Sequence, residues 1–472
     1  MSGTREHVHY RETAVGGPFD PLAVVSAVVG SGALADYVVY ERDRRWFVAG
    51  DPVGEVIVDA RQVRSTLGGE FAEPWSGSPW RAVREALYRA PLKEWRAYGW
   101  ASFELAGPDA EASPDVLAHL MIPGVELEIS EERLLIRSLD DAAVDPIRSA
   151  VGTGTPAFDG EPKSVDVRTL DGRYLAGVAH AVEQIRSGRL QKVVLSRCVD
   201  VPFDVDMRAT YVAGRKANTP ARSFLLDLGG WQVTGFSPET VVEVAASGAV
   251  STQPLAGTRA RTGDPVADLA LRAELQTDPK EVFEHATSVK LAFDELETVG
   301  RQGSTRVSEF LAVKERGSVQ HLGSRVDTTL AEPYTAWDAL AAVFPAITAS
   351  GIPKSPAYEL ITHLESGPRG LYAGAVLMAG SGGELDAALV LRAVYQRTGR
   401  AWLRAGAGVV AASTPVREHE ETCEKLSSVA PFVVPAAAAS PTRETGESRR
   451  GETPDLVQRV GSNDQGDDGP NG

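Results

Sequence analysis

The chain has 472 residues, 43% of them hydrophobic and 24% charged, with a formal net charge of −16. This is a globular composition, and the chain is long enough to bury a sizeable core. The acidity excludes nucleic acid and anionic membrane surfaces as main partners, because both require basic patches; an anionic substrate has to meet locally concentrated Arg and Lys.

Residues 1–20 are polar and read as a flexible leader with no apolar signal core. No run approaches the length of a membrane-spanning helix, so a cytoplasmic protein without membrane contact is expected. Cys198 and Cys423 stand outside any Cys-x-x-Cys or Cys/His cluster, which favours reduced, buried thiols over zinc or a disulfide framework.

Short β-type runs follow at Tyr37–Tyr40, Trp46–Ala49 and Glu55–Asp59, with Gly50-Asp51-Pro52 as a turn between the last two. Trp80–Tyr88 reads as a helix and Gly99–Leu105 as a strand. Val125–Ile129 and Arg133–Ile136 read as a hairpin. Gly152–Pro162, rich in Gly, Pro and Thr, is either a boundary or a long surface loop. Asp171 caps a helix through Arg186, and Gln191–Val201 is a strand of mostly β-branched residues. Arg222–Leu228 and Trp231–Phe236 form a hairpin across Gly229-Gly230, with Val241–Ala245 next. Pro254–Thr258 reads as a glycine-bearing loop. Ala267–Val299 is helical with a break at Thr277-Asp278-Pro279, where Asp278 and Glu281 resemble a capping box. Arg306–Glu315 and Val319–Leu322 are extended, and Trp337–Phe344 is a helix stopped by Pro345. Ala349–Pro353 is a loop. Leu371–Leu377, Ala387–Val394 and Ala401–Ala405 are strands, the last leading into a Gly406-Ala407-Gly408 turn, and a final helix starts at Pro415. From Pro435 the composition becomes that of a disordered tail, 435–472.

Two Glu-x-x-Glu pairs, Glu281/Glu284 and Glu418/Glu421, each face one way on a predicted helix. If the helices face each other the carboxylates converge, and an all-oxygen cluster suits Mg²⁺. Glu281 is equally well explained as a cap. Lys192 opens an apolar strand and Glu239 follows a Ser-Pro turn; buried, they could serve as general base and general acid, or be a snorkelling lysine and a turn-capping carboxylate. Arg392 lies in an otherwise apolar run and needs a partner. With Tyr372 and Lys425 it could bind carboxylates, or it could pair with Asp386. The small-residue segments at Gly257-Thr258 and Gly406–Gly408 could offer amides to an anion. His321 reads first as a satisfied core histidine.

Taken together, KVVLSR, GFSPE, PLAGTR, DPKEVFEH, VQHLGS, FPAITASGIPK, PRGLYAGAV, LVLRA and RAGAGVV…EHEETCEKL resemble the chorismate-utilising enzymes, the anthranilate, aminodeoxychorismate, isochorismate and salicylate synthases. The resemblance spans roughly Gly172 to Val434. It implies one large α/β (α+β) domain over 21–434, an antiparallel sheet sandwich with helices outside. Within the family the chain looks like the salicylate-forming members of the siderophore type. Lys192 stands where water-using members carry their base, so no glutamine amidotransferase subunit is expected. Ala256 stands where many aminodeoxychorismate synthases carry a nucleophilic lysine. The blocks around His321 and Thr348 resemble lyase-competent members.

The resemblance implies Mg²⁺ held by Glu284, Glu418 and Glu421, with Glu281 at one remove. Lys192 would activate water for attack at C2 of chorismate, and Glu239 would protonate the leaving C4 hydroxyl. Tyr372 and Arg392 would hold the enolpyruvyl carboxylate. Gly257, Thr258, Gly406, Ala407, Gly408 and Lys425 would complete the anion site, lined by His321. A monomer or homodimer is expected. The rival readings are an isochorismate synthase, an anthranilate-type synthase and a non-catalytic chorismate-binding subunit.

Overall fold

The computed structural model describes residues 8–107, 116–152, 160–317 and 319–437. The expected tail beyond residue 437, and residues 153–159 of the Gly152–Pro162 connector, lie outside the described residues. In chain order the strands are β1 (Arg11–Gly16), β2 (Tyr37–Arg42), β3 (Arg45–Val58), β4 (Gln62–Ser65), β5 (Phe71–Pro74), β6 (Arg96–Ala101), β7 (Ala118–Ile129), β8 (Arg133–Ser138), β9 (Lys192–Val201), β10 (Arg222–Leu228) and β11 (Trp231–Ser237). There follow β12 (Thr240–Val244), β13 (Ala249–Thr252), β14 (Leu255–Ala260), β15 (Arg306–Arg316), β16 (Val319–Thr329), β17 (Gly351–Ile352), β18 (Ala375–Gly380), β19 (Leu385–Leu389), β20 (Ala393–Arg397) and β21 (Arg400–Val409). The helices are α1 (Pro21–Gly30), α2 (Trp80–Leu87), α3 (Val144–Gly152), α4 (Gly172–Arg186), α5 (Met207–Ala217), α6 (Pro265–Thr277), α7 (Pro279–Glu297), α8 (Ala336–Val343), α9 (Lys354–Leu364) and α10 (Pro415–Leu426).

All strands join one antiparallel network, and the long β3–β7 pair is its spine. From β3 one arm runs through β2, β10, β11, β20, β21, β9 and β17. From β7 the other runs through β6, β18, β19, β12, β13 and β16, which also carries β14 and β15. Strand side chains alternate between faces, and here they alternate between two cores. On β10, Phe224, Leu226 and Leu228 enter one core and Leu225 the other; on β3, Phe47 and Ala49 oppose Trp46 and Val48. The larger core takes in both arms together with α2, α8 and α9; the smaller lies under α1 and α5. Asp386 on β19 bridges the arms. It is fully buried, accepts the Tyr40 hydroxyl from β2, and takes two Arg222 N–H bonds from β10 at 2.8 Å each. The mixed α/β domain with one large antiparallel sheet is the architecture expected from the sequence. Among the described residues no helix is long and apolar enough to cross a membrane.

Several local expectations are corrected. Part of the leader is ordered: Arg11–Gly16 pairs with β8. Gly50-Asp51-Pro52 is no turn, because β3 runs through it and absorbs the irregularity as a register shift between Pro52 and Gly54. The strand expected over Gly99–Leu105 stops at Ala101 and gives way to a 3₁₀ turn at Phe103–Ala106. Pro254–Thr258 and Gly406–Gly408 are not loops but lie largely or wholly in β14 and β21. Small residues mark close neighbours there rather than reversal: a Cβ on Gly408 would lie 2.5 Å from Glu284 Oε1, and one on Gly406 2.8 Å from the Tyr372 hydroxyl. Leu371–Gly374 is a turn before β18, and Tyr372 sits in it. Ala387–Val394 is two strands, with Arg392 between them at φ 52°, in the left-handed region.

Candidate active site

The strand ends of both arms and helices α7 and α10 enclose a cleft of about 740 Å³, its open mouth included. Of the residues singled out from sequence, Glu239, Gly257, Thr258, Glu284, His321, Tyr372, Arg392, Gly406, Gly408, Glu421 and Lys425 line it. Lys192, Glu281, Glu418 and Ala407 do not.

Glu239 sits in the tight connection between β11 and β12 and is 2% exposed. Leu255 N–H donates to its Oε2 at 3.0 Å, and the Thr348 hydroxyl donates to Oε1. Burial pushes this carboxyl up to about 7, against those two bonds and the nearby Lys192 and Lys425. Lys192 opens β9 just behind the cleft wall. Its Nζ lies 2.8 Å from Glu284 Oε1 and donates to Ser288 Oγ at 3.4 Å. Gly408 leaves room for this pair, since a Cβ there would lie 2.5 Å from Glu284 Oε1 and 3.2 Å from Lys192 Cε.

The four helix glutamates are each answered by a cation. Glu284 meets Lys192 at 2.8 Å, Glu418 meets Lys280 at 3.2 Å, Glu421 meets Lys425 at 2.8 Å, and Glu281 meets Arg259 at 3.3 Å. Asp278 caps α7 through the Lys280 N–H at 2.9 Å, but Glu281 does not complete a capping box: the Asp278 N–H goes to the Glu274 carbonyl at 2.9 Å and the Glu281 carboxylate to Arg259. As placed, no group of three or more His, Cys, Asp or Glu among the described residues is close enough to hold a metal ion. The carboxylates nevertheless feel one another. Burial, then Glu421 and Glu284, push the Glu281 carboxyl up; burial, then Glu421, push Glu418 up to about 7. Burial also pushes Glu421 up, but Lys425, Lys280 and Arg417 outweigh it and hold that carboxyl below the usual range. Glu418 Oε2 is buried without a hydrogen-bond partner. An orphaned carboxylate oxygen within an all-oxygen donor set suits a hard divalent cation.

The anion-binding end is made by Arg392, Tyr372, His321 and the β21 edge. Arg392 is 8% exposed and has no carboxylate partner among the described residues; its N–H groups go to the Arg316 carbonyl at 3.3 Å and to His321 Nε2. Asp386, its possible partner by sequence, is taken by Arg222. Burial and Arg316 lower the Arg392 pKa to about 10, which still leaves it cationic at neutral pH. His321 accepts from Arg392 at Nε2 and faces the Gly257 carbonyl at 3.2 Å with Nδ1, so Nδ1 carries the proton. Burial and the Arg392 charge hold this imidazole neutral, with its pKa well below the usual value. The histidine is thus both buried and at the site.

The strand ladder decides which β21 amides face the cleft. Val194 N–H goes to Ser350 O and Ser196 N–H to Glu365, so these β9 residues point away from β21. Their partners Gly408 and Gly406 therefore turn their backbone groups away from β9, while Ala407 pairs with Leu195. Lys425 Nζ donating to Gly406 O at 2.9 Å agrees with this. The amides of Gly406 and Gly408 are available; that of Ala407 is not, and this corrects its assignment. Sequence reasoning missed Thr348, Arg404, Lys280 and Arg259. All four lie inside quoted blocks, but nothing in the spacing announces the partner of Thr348, 109 residues away, or that of Lys280, 138 away.

The chain matches the sequence profile of the family described as chorismate binding enzyme over residues 36–431. It is 42% identical to the salicylate synthase of Mycolicibacterium paratuberculosis over 88% of this chain and 94% of that protein. It is 34% identical to anthranilate synthase component 1 of Methanothermobacter thermautotrophicus, over 67% of this chain and 68% of the other. In fold it is similar to the menaquinone-specific isochorismate synthase of Escherichia coli, with a TM-score of 0.69 at 20% identity, covering 90% of this chain and 94% of that one.

Proposed function

The chain belongs to the chorismate binding enzyme family, and we propose that it is a salicylate synthase, converting chorismate through isochorismate to salicylate and pyruvate. The observation that carries this reading is a buried acid poised near neutrality, Glu239, at a cleft with a buried amine, Lys192, just behind its wall and an arginine that lacks a carboxylate partner among the described residues. The carboxylates of the substrate match the donors gathered at the cleft, Arg392, Tyr372, Lys425 and the Gly406 and Gly408 amides.

Lys192 Nζ, held by Glu284 and Ser288, first gives up its ammonium proton, with Glu284 Oε1 at 2.8 Å as the nearby acceptor, and as the neutral amine takes a proton from the water that adds at C2. Glu239 gives its proton to the C4 hydroxyl, which leaves as water while the ring double bond shifts. A carboxyl near 7 is protonated often enough at neutral pH to do this. In the second step the C2 hydrogen passes within isochorismate to the enolpyruvyl methylene carbon as the C3–O bond breaks, releasing pyruvate. No acid or base is needed; Arg392 and Tyr372 contribute by holding the side chain over the ring. Glu284, Glu418 and Glu421 are the residues that would hold Mg²⁺, with Glu281 at one remove; bound there, the ion supplies charge compensation for the ring carboxylate. Water as nucleophile means that no amidotransferase subunit is required. Use of the salicylate in siderophore formation belongs to the same proposal.

Lys192→Ala is expected to abolish conversion of chorismate while leaving added isochorismate cleavable to salicylate. Loss of both steps in a folded variant would make Lys192 structural. Glu421→Gln is expected to weaken the Mg²⁺ dependence and the rate together, and an unchanged Mg²⁺ titration removes Glu421 from the metal site.

A further inference from the structure

Behind the cleft lies a cluster of buried charge that the chemistry above does not use. Glu365, at the end of α9, is 7% exposed and receives two guanidinium groups: Arg369 at 2.6 Å and Arg404, from β21, at 2.5 Å. Each remaining arm of the cluster reaches a segment that carries a cleft residue. Arg369 donates to Val194 O on β9 at 2.6 Å and to Ala349 O at 2.7 Å. Val194 is two residues from Lys192, and Ala349 adjoins Thr348, which binds Glu239. Glu365 Oε1 also accepts from Ser196 N–H at 2.8 Å, and Arg404 donates to Ser196 Oγ at 2.9 Å and Pro368 O at 2.8 Å. The guanidinium carbons of Arg369 and Arg404 both lie 5.5 Å from the centroid of the Tyr372 ring, whose hydroxyl rests against Gly406. Arg404 itself reaches the cleft wall.

We propose that Glu365, Arg369 and Arg404 form a buried positioning trio that sets Tyr372 and the Gly406 edge of β21 against the Lys192 strand. The proposal rests on the chorismate reading only in its choice of ligand. Two guanidinium groups answer one carboxylate in the trio. A further acid, Glu104, accepts the Arg369 and Gly370 backbone N–H groups at 2.6 and 3.1 Å; burial pushes its carboxyl up, against those bonds and the charges of Arg369 and Arg404. The trio thus acts through position, tying β9, β21 and the Tyr372 turn to one buried carboxylate. Holding three donors in one fork is work for an arginine, and a lysine supplies the charge without the fork.

The test is a double-mutant cycle between Arg404→Met and Tyr372→Phe, read as the dissociation constant for chorismate by titration calorimetry, with thermal unfolding of every variant. Arg404→Met is expected to weaken chorismate binding about tenfold, Arg404→Lys to recover part of that loss, and Arg404→Met to add little once Tyr372 is Phe. Full, multiplicative losses in the double variant would overturn the proposal, as would a lowered melting temperature with unchanged affinity. If Arg404→Met does not fold, Arg369→Lys enters the same cycle against the same two outcomes. Binding is read without turnover, so a product other than salicylate overturns the functional reading and leaves this test intact.

Discussion

At the residue scale the decisive group is Glu239. Its carboxyl must carry a proton to act as an acid, and burial places its pKa at about 7. The protonated fraction is high below that value and falls as pH rises through it, so kcat/KM for chorismate is expected to decline on the alkaline side of about pH 7. The Thr348 hydroxyl stabilises the charged form. Thr348→Val should therefore raise the carboxyl further and move the alkaline limb up by roughly half a unit to one unit. A pH–rate profile of the two proteins checks this, and a limb that stays put or moves down excludes Glu239 as the acid. Residue types and block order made Lys192, Glu239, Arg392 and Lys425 legible in the sequence. Their partners were not legible, because a hydrogen bond from Thr348 to Glu239 or an ion pair from Lys280 to Glu418 has no local spacing to betray it. Arg392 shows the same limit in reverse. Its apolar run suggested a strand, whereas the chain leaves the strand there and turns through the left-handed region to aim the guanidinium at the cleft.

At the element scale, β21 shows how a glycine run can be misread. Gly-Ala-Gly looks like a turn because glycine is permissive, yet here it is buried strand whose missing side chains make room for Glu284 and Tyr372. Gly408→Ala is expected to displace the Lys192–Glu284 pair and cut turnover by ~10²-fold while the protein still unfolds cooperatively near the wild-type temperature. Gly99 on β6 is the contrasting case: a Cβ there would lie 2.0 Å from the His119 carbonyl oxygen, and neither residue lines the cleft. Gly99→Ala should cost stability, on the order of 1–3 kcal/mol by denaturant unfolding, with the kinetics of the folded fraction little changed. Helix starts were legible where a cap announced them, whereas α1, α3, α5 and α9 were not anticipated. Asp171, Asp278 and Pro415 mark the starts of α4, α7 and α10 as expected, since capping is local chemistry.

At the scale of the whole molecule, the sheet arms are long-range partners, and only the family resemblance spoke to their arrangement. Strand pairing such as β9 with β21 joins residues some two hundred positions apart. Asp386 is the main polar tie between the arms and is buried against Arg222 and Tyr40. Asp386→Asn leaves Arg222 with Glu243 at 3.3 Å as its remaining acid. The expected cost is about 3 kcal/mol, a large share of the stability of an ordinary domain, measured as a shift in the urea midpoint. The whole arrangement serves one cleft, with the acid Glu239 in its lining, the amine Lys192 behind its wall, and Arg392, which has no carboxylate partner among the described residues. The most direct measurement of that account is the product of purified protein incubated with chorismate and Mg²⁺ in the absence of ammonia. Equal amounts of salicylate and pyruvate are predicted, whereas accumulation of isochorismate without pyruvate, or product formation only when ammonia is added, would contradict it.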